Sequence, residues 1–147
     1  MSSCNEMRVE FKSIAQNESF ARMVVAAFIT ETNPTLEEVS DIKTAVSEAV
    51  TNSIIHAYDN REGIIHIKAK TENRLVTIWV TDEGHGIEDI KKAMEPMYTT
   101  KANEDRSGLG FSFMEALMDG IEVCSKKNVG TTVKMWKEIG ATGHHFN

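Results

Sequence analysis

The amino-acid sequence predicts an α+β fold in which helices cover one face of a mixed, mostly antiparallel sheet. Apolar residues recur with helical spacing between residues 17 and 58, but they alternate singly at 7–13, 63–81 and 121–137. The chain has 147 residues, of which 41% are hydrophobic and 26% charged, which is enough apolar material for one core. Helices and strands that share one core form a two-layer sandwich.

The first half of the chain is predicted to contain one strand and two helices. Residues 7–13 alternate as a half-buried strand does, and residues 17–32 form a helix with Asn17 as its N-cap. Thr35 and Glu38 have the spacing of a capping box and begin a longer helix that reaches about residue 58. The predicted buried stripes are Phe20, Val24, Ala27 and Phe28 on the first helix, and Val39, Ile42, Val46, Ala49, Val50 and Ile54 on the second.

The second half of the chain changes to strands and loops. Its predicted elements are strands at 63–71 and 75–81 joined by a turn at 72–74, a glycine-bearing loop at 82–87, a short helix at 88–94, a long loop at 95–110, a helix at 111–118, and strands at 121–127 and 131–137. A loop as long as the one at 95–110 is usually functional in a small domain.

Composition limits the function as well as the fold. The 16 basic and 22 acidic residues give a net charge of −6, whereas a nucleic-acid-binding face needs a basic excess. No apolar stretch approaches the roughly 20 residues that span a bilayer, and the N-terminus has no signal pattern. Cys4 and Cys124 belong to no disulfide or metal-binding pattern. We therefore expect one cytoplasmic domain over residues 1–139 and a polar, disordered tail at 140–147.

The first candidate site lies late in the longer helix. Glu48 and Asn52 are four residues apart, so their side chains are neighbours on one helix face, and His56 continues this row. A carboxylate next to a carboxamide can hold Mg²⁺ through oxygen or act as a general base toward a hydroxyl. An ordinary solvated helix face would have the same residue types.

The second candidate site follows the strand at 75–81. Asp82 precedes Gly84 and Gly86 in a tight turn, where glycine allows a positive φ and lets a ligand approach the backbone. The Asp82 carboxylate can accept a hydrogen bond from an exocyclic amine. An ordinary strand-to-helix turn would have the same glycines.

Two weaker candidates lie further along the chain. The long loop carries hydroxyl and cationic side chains and ends in Gly-x-Gly before a helix, and the amides at a helix N-terminus bind anions. Lys101 and Arg106 would add charge-assisted hydrogen bonds to a phosphate. The sequence contains neither a Walker A loop nor a Rossmann pattern. Thr131 follows Gly130 at the start of the last strand, which is also typical of an ordinary hairpin.

The order and spacing of these motifs resemble those of the GHKL ATP-binding family, which has the Bergerat fold and includes histidine kinases, DNA gyrase B, Hsp90 and MutL. The matching motifs are Glu-x-x-x-Asn at 48–52, Asp-x-Gly-x-Gly at 82–86, Thr-Thr-Lys at 99–101, Gly-x-Gly at 108–110 and Gly-Thr-Thr at 130–132. The resemblance covers nearly the whole chain. Residues 17–22, 47–52, 82–87 and 106–111 are most similar to the anti-sigma F factors (SpoIIAB type), small serine kinases of spore-forming bacteria.

The resemblance implies ATP and Mg²⁺ as cofactors and gives each candidate residue a role. Glu48 would be the general base that activates a serine hydroxyl, and Asn52 would coordinate Mg²⁺. Asp82 would bind the adenine amine with Thr131 nearby. The other implied nucleotide contacts are His56, Gly84 and Gly86 beside the base, Thr99, Thr100 and Lys101 in a lid, Ser107, Gly108, Leu109 and Gly110 around the phosphates, and Arg106 at the γ-phosphate.

The resemblance also implies protein partners. A sporulation sigma factor (sigma F) would be bound in the ATP state and kept from core RNA polymerase, and a small anti-anti-sigma factor would be inactivated by phosphorylation of a serine. Glu18 and Arg22 are candidate partner contacts, although their spacing also fits an exposed ion pair of little energetic worth. A homodimer is expected, with the first strand as an edge available for pairing.

Two other functions stay open at this point. One is the detached catalytic domain of a histidine kinase, although the sequence has no helical hairpin with an acceptor histidine. The other is a nucleotide-gated binding module without phosphoryl transfer, for which Glu48 would be unnecessary. The sequence departs from close relatives at Ala57, where they often have glycine, and we assign no role to His85 or to the pair His144 and His145.

Overall fold

Five strands form one sheet with three α-helices packed on one face, within residues 4–87, 94 and 110–140, which the computed structural model describes. The strands are β1 (Cys4–Lys12), β2 (Ile64–Glu72), β3 (Leu75–Asp82), β4 (Gly120–Lys126) and β5 (Gly130–Glu138). The helices are α1 (Gln16–Ile29), α2 (Leu36–Asn52) and α3 (Gly110–Leu117). The predicted two-layer α+β fold is confirmed.

The sheet has the order β1-β2-β3-β5-β4, and the four neighbouring pairs of described strands are all antiparallel. Glu72 pairs with Leu75, so β2 and β3 are joined by a tight turn in which Asn73 has a φ of 56°. Asparagine tolerates this left-handed conformation better than most residues do. The pairing of β3 with β5 sets Asp82 opposite Thr131, which brings together two predicted site residues from distant parts of the chain.

Helix α1 buries a different stripe from the predicted one. Ala21, Val25 and Ile29 are fully buried, whereas Phe20 is 46% exposed and Ala27 is exposed. The predicted and observed stripes lie side by side on the helix, and both are apolar. Close packing of α1 against α2 and the sheet selects the stripe with the more compact side chains.

The predicted N-cap of α1 is also wrong. Ala15 occupies the N-cap position and makes no side-chain cap. The side-chain amide of Asn17 instead donates to the carbonyl oxygen of Lys12 at 2.9 Å. Phe20 packs edge-on against Phe11 with ring centroids 6.0 Å apart. The start of α1 is thus held against the end of β1 rather than closed by a polar cap.

The predicted capping box at the start of α2 is confirmed. The Thr35 hydroxyl accepts from the Glu38 amide at 3.1 Å, and the Glu38 carboxylate accepts from the Thr35 amide at 2.9 Å. The same carboxylate accepts from the amide of Gly140 at 2.8 Å. Burial alone would raise the pKa of Glu38, but these hydrogen bonds outweigh it and hold the pKa below its ordinary value.

The helical segment that the sequence predicts to reach about residue 58 has two parts. Helix α2 ends at Asn52, and a π-helical turn (Ser53–Ala57) follows, in which the Tyr58 amide donates to the Ser53 carbonyl at 3.0 Å. Such turns recur at functional sites. The predicted stripe of α2 is buried at Ile42, Val46, Ala49, Val50 and Ile54, and Val39 is partly buried.

The later helix and strands appear close to the predicted positions, as α3, β4 and β5. The predicted helix at 88–94, the long loop at 95–110 and the tail at 140–147 lie almost entirely outside the described residues. The division into a domain at 1–139 and a tail therefore stays a prediction.

Candidate functional site

The predicted site residues that the structure describes converge on the C-terminal half of α2, the π-helical turn, and the facing ends of β3, β5 and α3. Within two groups of these residues, the members contact each other directly. Asp82, Gly84 and Thr131 share hydrogen bonds, and Asn52 lies against Gly110. The predicted residues Thr99, Thr100, Lys101, Arg106, Ser107, Gly108 and Leu109 lie outside the described residues.

The Asp82 carboxylate is only 5% exposed and is held by three different parts of the chain. One oxygen, Oδ1, accepts from the amide of Gly84 at 3.0 Å and from the amide of Thr131 at 3.3 Å. The other, Oδ2, accepts from the Ser53 hydroxyl at 3.0 Å. An ionised carboxylate has about four acceptor positions, so one position on Asp82 is available to a further donor.

Burial has a measurable cost for the charge on Asp82. Desolvation raises the pKa of this carboxyl above its ordinary value, even though the three hydrogen bonds and the nearby His85 act in the opposite direction. A ligand that donates another hydrogen bond to the carboxylate would offset part of this penalty. The geometry therefore suits an N–H donor such as an exocyclic amine.

The expected positive φ is confirmed at Gly86, and close packing gives both Gly84 and Gly86 a further reason to be glycines. A Cβ on Gly84 would lie 2.3 Å from the Ala57 carbonyl oxygen, and a Cβ on Gly86 would lie 2.3 Å from the Lys126 carbonyl oxygen. Gly86 also has a φ of 81°. The glycines thus let the loop pack against the protein's own backbone, and the shape of the pocket follows from that packing.

The π-helical turn and Tyr58, the residue that follows it, hold this loop through contacts that no sequence motif indicates. The Tyr58 hydroxyl donates to the Ile64 carbonyl at 2.7 Å and accepts from the Glu83 amide at 2.6 Å. The amide of His85 donates to the Ala57 carbonyl at 3.2 Å. Burial raises the pKa of Tyr58, and the Asp82 and Glu83 carboxylates raise it further, so the hydroxyl stays protonated at neutral pH.

Three supporting residues were therefore missed, namely Ser53, Tyr58 and Ser125. Ser53 is a polar residue within the otherwise apolar buried stripe of the helical segment, which is a signal that the sequence offers. Tyr58 and Ser125 have no such local signal, because their partners are distant in sequence.

The other end of the site contains Glu48 and Asn52, one turn apart on α2. Glu48 is 5% exposed, so the interpretation as an ordinary solvated helix face is wrong for this residue. The Asn52 carboxamide oxygen is buried and accepts no hydrogen bond from the described residues. A Cβ on Gly110 would lie 3.0 Å from Asn52 Nδ2 and 3.1 Å from Oδ1, so the start of α3 sits directly on this carboxamide.

This donor set fits Mg²⁺, although it does not form a complete protein cage. Among the described residues, no three His, Cys, Asp or Glu side chains are grouped as metal ligands. Mg²⁺ is usually bound by one or two protein oxygens together with waters and substrate phosphates. A buried carboxamide oxygen in need of a partner, next to a carboxylate, is compatible with that mode. His56 lies half-buried on the π-helical turn, and its predicted place beside a nucleotide stays a prediction.

Glu18 and Arg22 form the expected i,i+4 ion pair on α1, with Arg22 Nε 2.6 Å from Glu18 Oε2. Arg22 also lines a groove of about 430 Å³ between α1 and α2, and Glu48 lies in the same groove. Its other lining residues are Leu36, Val39, Ser40, Lys43, Thr44 and Ser47. The structure thus connects the predicted partner contact with the predicted base.

The comparisons with known proteins show the family of the chain. Residues 12–137 match the histidine kinase-like ATPase domain family. The chain is 57% identical over 137 residues to the anti-sigma F factor of Thermoanaerobacter sp. (strain X514), covering 93% of this chain and 96% of that protein. It is also 57% identical over 136 residues to the anti-sigma F factor of Clostridium botulinum (strain Alaska E43), covering 92% and 95%.

Solved structures show the same fold at low sequence identity. The RsbU and RsbW domains of a Mycobacterium tuberculosis protein superpose with a TM-score of 0.67 at 19% identity, covering 92% of this chain and 32% of that one. The histidine kinase domain of a blue-light-activated kinase from Erythrobacter litoralis gives 0.54 at 19% identity, covering 83% and 60%. The resemblance to GHKL proteins, and to anti-sigma F factors among them, is confirmed.

No described helix has the length and apolar character that crossing a membrane requires.

Proposed function

We propose that this chain, which belongs to the family of histidine kinase-like ATPase domains, is an ATP-dependent serine/threonine kinase that also acts as an anti-sigma factor. One observation carries the proposal. Helix α2 places a buried carboxylate, Glu48, in a groove that Arg22 also lines, and the next turn of the same helix carries Asn52. A protein substrate in this groove would meet the base, and the proposed metal ligand would lie one helical turn further on.

The nucleotide would lie with its base at Asp82 and its phosphates at the start of α3. The exocyclic amine of adenine would donate to the available acceptor position on Asp82, with Thr131 at the same edge of the base. Asn52 would hold Mg²⁺, which neutralises charge on the phosphates. Gly110 would contact the phosphates together with Ser107, Gly108 and Leu109, and Thr99, Thr100, Lys101 and Arg106 would close over the γ-phosphate.

Glu48 supplies the proton transfer in this scheme. The serine hydroxyl of the partner gives its proton to the Glu48 carboxylate while its oxygen forms a bond to the γ-phosphorus, and the bond from that phosphorus to ADP breaks. The products are a phosphoserine, ADP and one proton, which Glu48 releases. A buried carboxylate suits this role because water does not screen it from the hydroxyl.

The relatives that are named anti-sigma F factors support a sigma factor as a partner. In the ATP state the chain would bind a sporulation sigma factor of the sigma F type in the cytoplasm and keep it from core RNA polymerase. The serine acceptor would be a small anti-anti-sigma factor. The acidic net charge of −6 favours a basic partner. A homodimer is part of this proposal, with β1 at the open edge of the sheet.

Phosphoryl transfer is tested with γ-labelled ATP and Mg²⁺ in a soluble extract of the source cell that is shown to contain the anti-anti-sigma factor. Glu48→Gln keeps the size of the side chain and removes the base, and Glu37→Gln on the exposed start of α2 is the matched control. We expect one small protein to take an acid-stable label from the wild type and from Glu37→Gln, but not from Glu48→Gln.

The other outcomes identify other functions. An acid-labile label would lie on histidine and would indicate a histidine-kinase-type catalytic domain. Binding of ATP without any label would indicate a nucleotide-gated binding module.

Sigma binding is tested separately at α1. Arg22→Ala should weaken the complex with the sigma factor and leave ATP affinity unchanged, because Arg22 lies in the groove and not at Asp82. Arg61→Ala, at an exposed arginine before β2 and outside both the groove and β1, is the control. Equal loss of sigma binding and ATP binding in Arg22→Ala would show that the variant is misfolded rather than impaired at an interface.

A further inference from the structure

Ser125 lies next to the proposed base-binding end of the site, although no motif in the sequence singles it out. It is on β4, directly opposite Thr131 of β5. Its hydroxyl oxygen is 2.7 Å from the Thr131 hydroxyl oxygen and accepts from the Ile87 amide at 2.6 Å. Thr131 in turn donates its amide to Asp82 at 3.3 Å.

The number of hydroxyl protons on Ser125 and Thr131 limits the directions that their hydrogen bonds can take. Ser125 has one hydroxyl proton, and the acceptors within its reach are the Thr131 hydroxyl at 2.7 Å and the Gly130 carbonyl at 3.2 Å. If Ser125 donates to Thr131, the Thr131 proton is available to point away from Ser125. If Ser125 donates to Gly130, Thr131 must donate back to Ser125 and can only accept from a ligand. The state of Ser125 therefore decides whether Thr131 acts as a donor or as an acceptor.

Adenine needs a donor at this position. Its exocyclic amine is a donor, and the ring nitrogen beside the amine is an acceptor. A base whose amine lies on Asp82 therefore presents an acceptor to the neighbouring group. Guanine presents the opposite pattern at this edge, an acceptor oxygen beside a ring N–H.

We infer that Ser125 is a positioning residue for the base, and this inference rests on the proposed nucleotide-binding function. Ser125 donates to Thr131, and Thr131 directs its own proton, directly or through one water, at the ring nitrogen of adenine. Gly130 is the poorer acceptor, because its 3.2 Å distance from Ser125 is long for an O–H···O hydrogen bond, and this favours donation from Ser125 to Thr131. A chain of hydroxyls that donate in one direction also strengthens each hydrogen bond in it.

The test compares ATP and GTP affinities for four proteins: the wild type, Ser125→Ala, Thr131→Val and the double variant. Ser125→Ala should weaken ATP binding about three- to tenfold, the worth of one hydrogen bond. It should weaken GTP binding less, so that the preference for ATP narrows. At saturating ATP the rate of phosphoryl transfer should be unchanged, so that KM moves and kcat does not. Ser125→Thr retains a hydroxyl and should restore the affinity.

The double variant tests the route of the effect. If Ser125 acts through Thr131, adding Ser125→Ala to Thr131→Val should change ATP affinity less than twofold. If Ser125→Ala weakens ATP binding as much in the Thr131→Val protein as in the wild type, the effect comes from the Ile87 contact and the inference is overturned. If the wild type binds ATP and Ser125→Ala binds it with the same affinity, this inference alone is overturned. A wild type that binds neither nucleotide would overturn the proposed function itself.

Discussion

The two ends of the candidate site differ in how far the protein satisfies its own polar groups. At the end where we propose that the base binds, called the base end, the oxygens of Asp82 accept hydrogen bonds from Ser53, Gly84 and Thr131. At the phosphate end, the buried oxygen of Asn52 accepts none from the described residues. The fold satisfies most of the acceptor positions at the base end, whereas at the proposed phosphate end it leaves the Asn52 oxygen for a ligand to satisfy.

This difference has a physical reason in the elements that form each end. The base end is made where β3, β5 and the π-helical turn meet, and sheet pairing fixes Asp82 opposite Thr131. The phosphate end combines α2 with the start of α3, where Gly110 lies against the Asn52 side chain. Buried polar atoms without partners are rare and costly, so those that remain point to a ligand. Recognition of the base and phosphoryl transfer should therefore be separable by mutation.

The largest expected effect is at the phosphate end. Glu48→Gln should lower kcat for phosphoryl transfer by about 100- to 10,000-fold, which is typical for loss of a general base. Its affinity for ATP should change by less than about twofold, because Asp82 is untouched. Steady-state kinetics on the purified acceptor, with ATP titration calorimetry, measures both quantities. A variant with a wild-type rate would remove Glu48 from catalysis.

The second effect is at the base end, where the change should appear in ATP affinity. Asp82→Asn removes the acceptor for the amine and should weaken ATP binding by about ten- to a hundredfold, the worth of a hydrogen bond to a charged group. The fold tolerates this change, since Asn can accept from Gly84 and Thr131 and donate to Ser53. Glu83→Gln, an exposed carboxylate next to it, is the control. Undiminished affinity in Asp82→Asn would refute the assignment of the base.

A third, smaller effect probes the contact between α3 and α2. Gly110→Ala places a Cβ about 3 Å from the Asn52 carboxamide, which must move by a few tenths of an ångström. Misplacing a metal ligand by this amount should slow transfer about tenfold while ATP affinity changes less. Stability should be retained, because alanine favours a helix more than glycine does. Ser112→Ala on α3 is the control, and equal rates in the two variants would show that the contact has no catalytic role.

Much of the fold and of the site could be predicted from the sequence, because many of the signals are local. The capping box of Thr35 and Glu38, the alternation of β2 and the grouping of Asp82 with Gly84 depend on neighbours within a few residues. The stripe of α1 could not be predicted in the same way. Residues 20, 24 and 28 and residues 21, 25 and 29 form adjacent apolar stripes, and only packing against the rest of the domain distinguishes them.

The supporting residues of the site were missed for a related reason. Tyr58 contacts Glu83, and Ser125 contacts Ile87 and Thr131, through pairings that the sheet and the π-helical turn create. A tyrosine or a serine in isolation has no pattern that indicates such a contact. Their contacts follow from topology, whereas the roles proposed for Asp82 and Glu48 follow from the chemistry of their own side chains.

The smallest expected effect is on the pH dependence of stability. Burial raises the pKa of Asp82, so the native state holds this proton more tightly than the unfolded chain does. The free energy of unfolding that this group contributes must therefore fall as the pH rises from the unfolded pKa through the folded one, and stay constant above it. Asp82→Asn lacks this titration and should gain stability relative to the wild type over the same interval. Denaturant unfolding from about pH 3.5 to about pH 7 measures the difference.

Glu38→Gln is the matched control, for which the pH dependence of stability should have the opposite sign. The pKa of Glu38 is lowered, so the wild type should gain stability over this variant as the pH rises through the folded pKa of Glu38 toward its unfolded value. If the advantage of Asp82→Asn instead shrank with rising pH, the three hydrogen bonds to Asp82 would outweigh its burial. The protein itself would then fully stabilise the ionised Asp82 carboxylate. An amine ligand would gain no binding energy from offsetting the desolvation of that carboxylate.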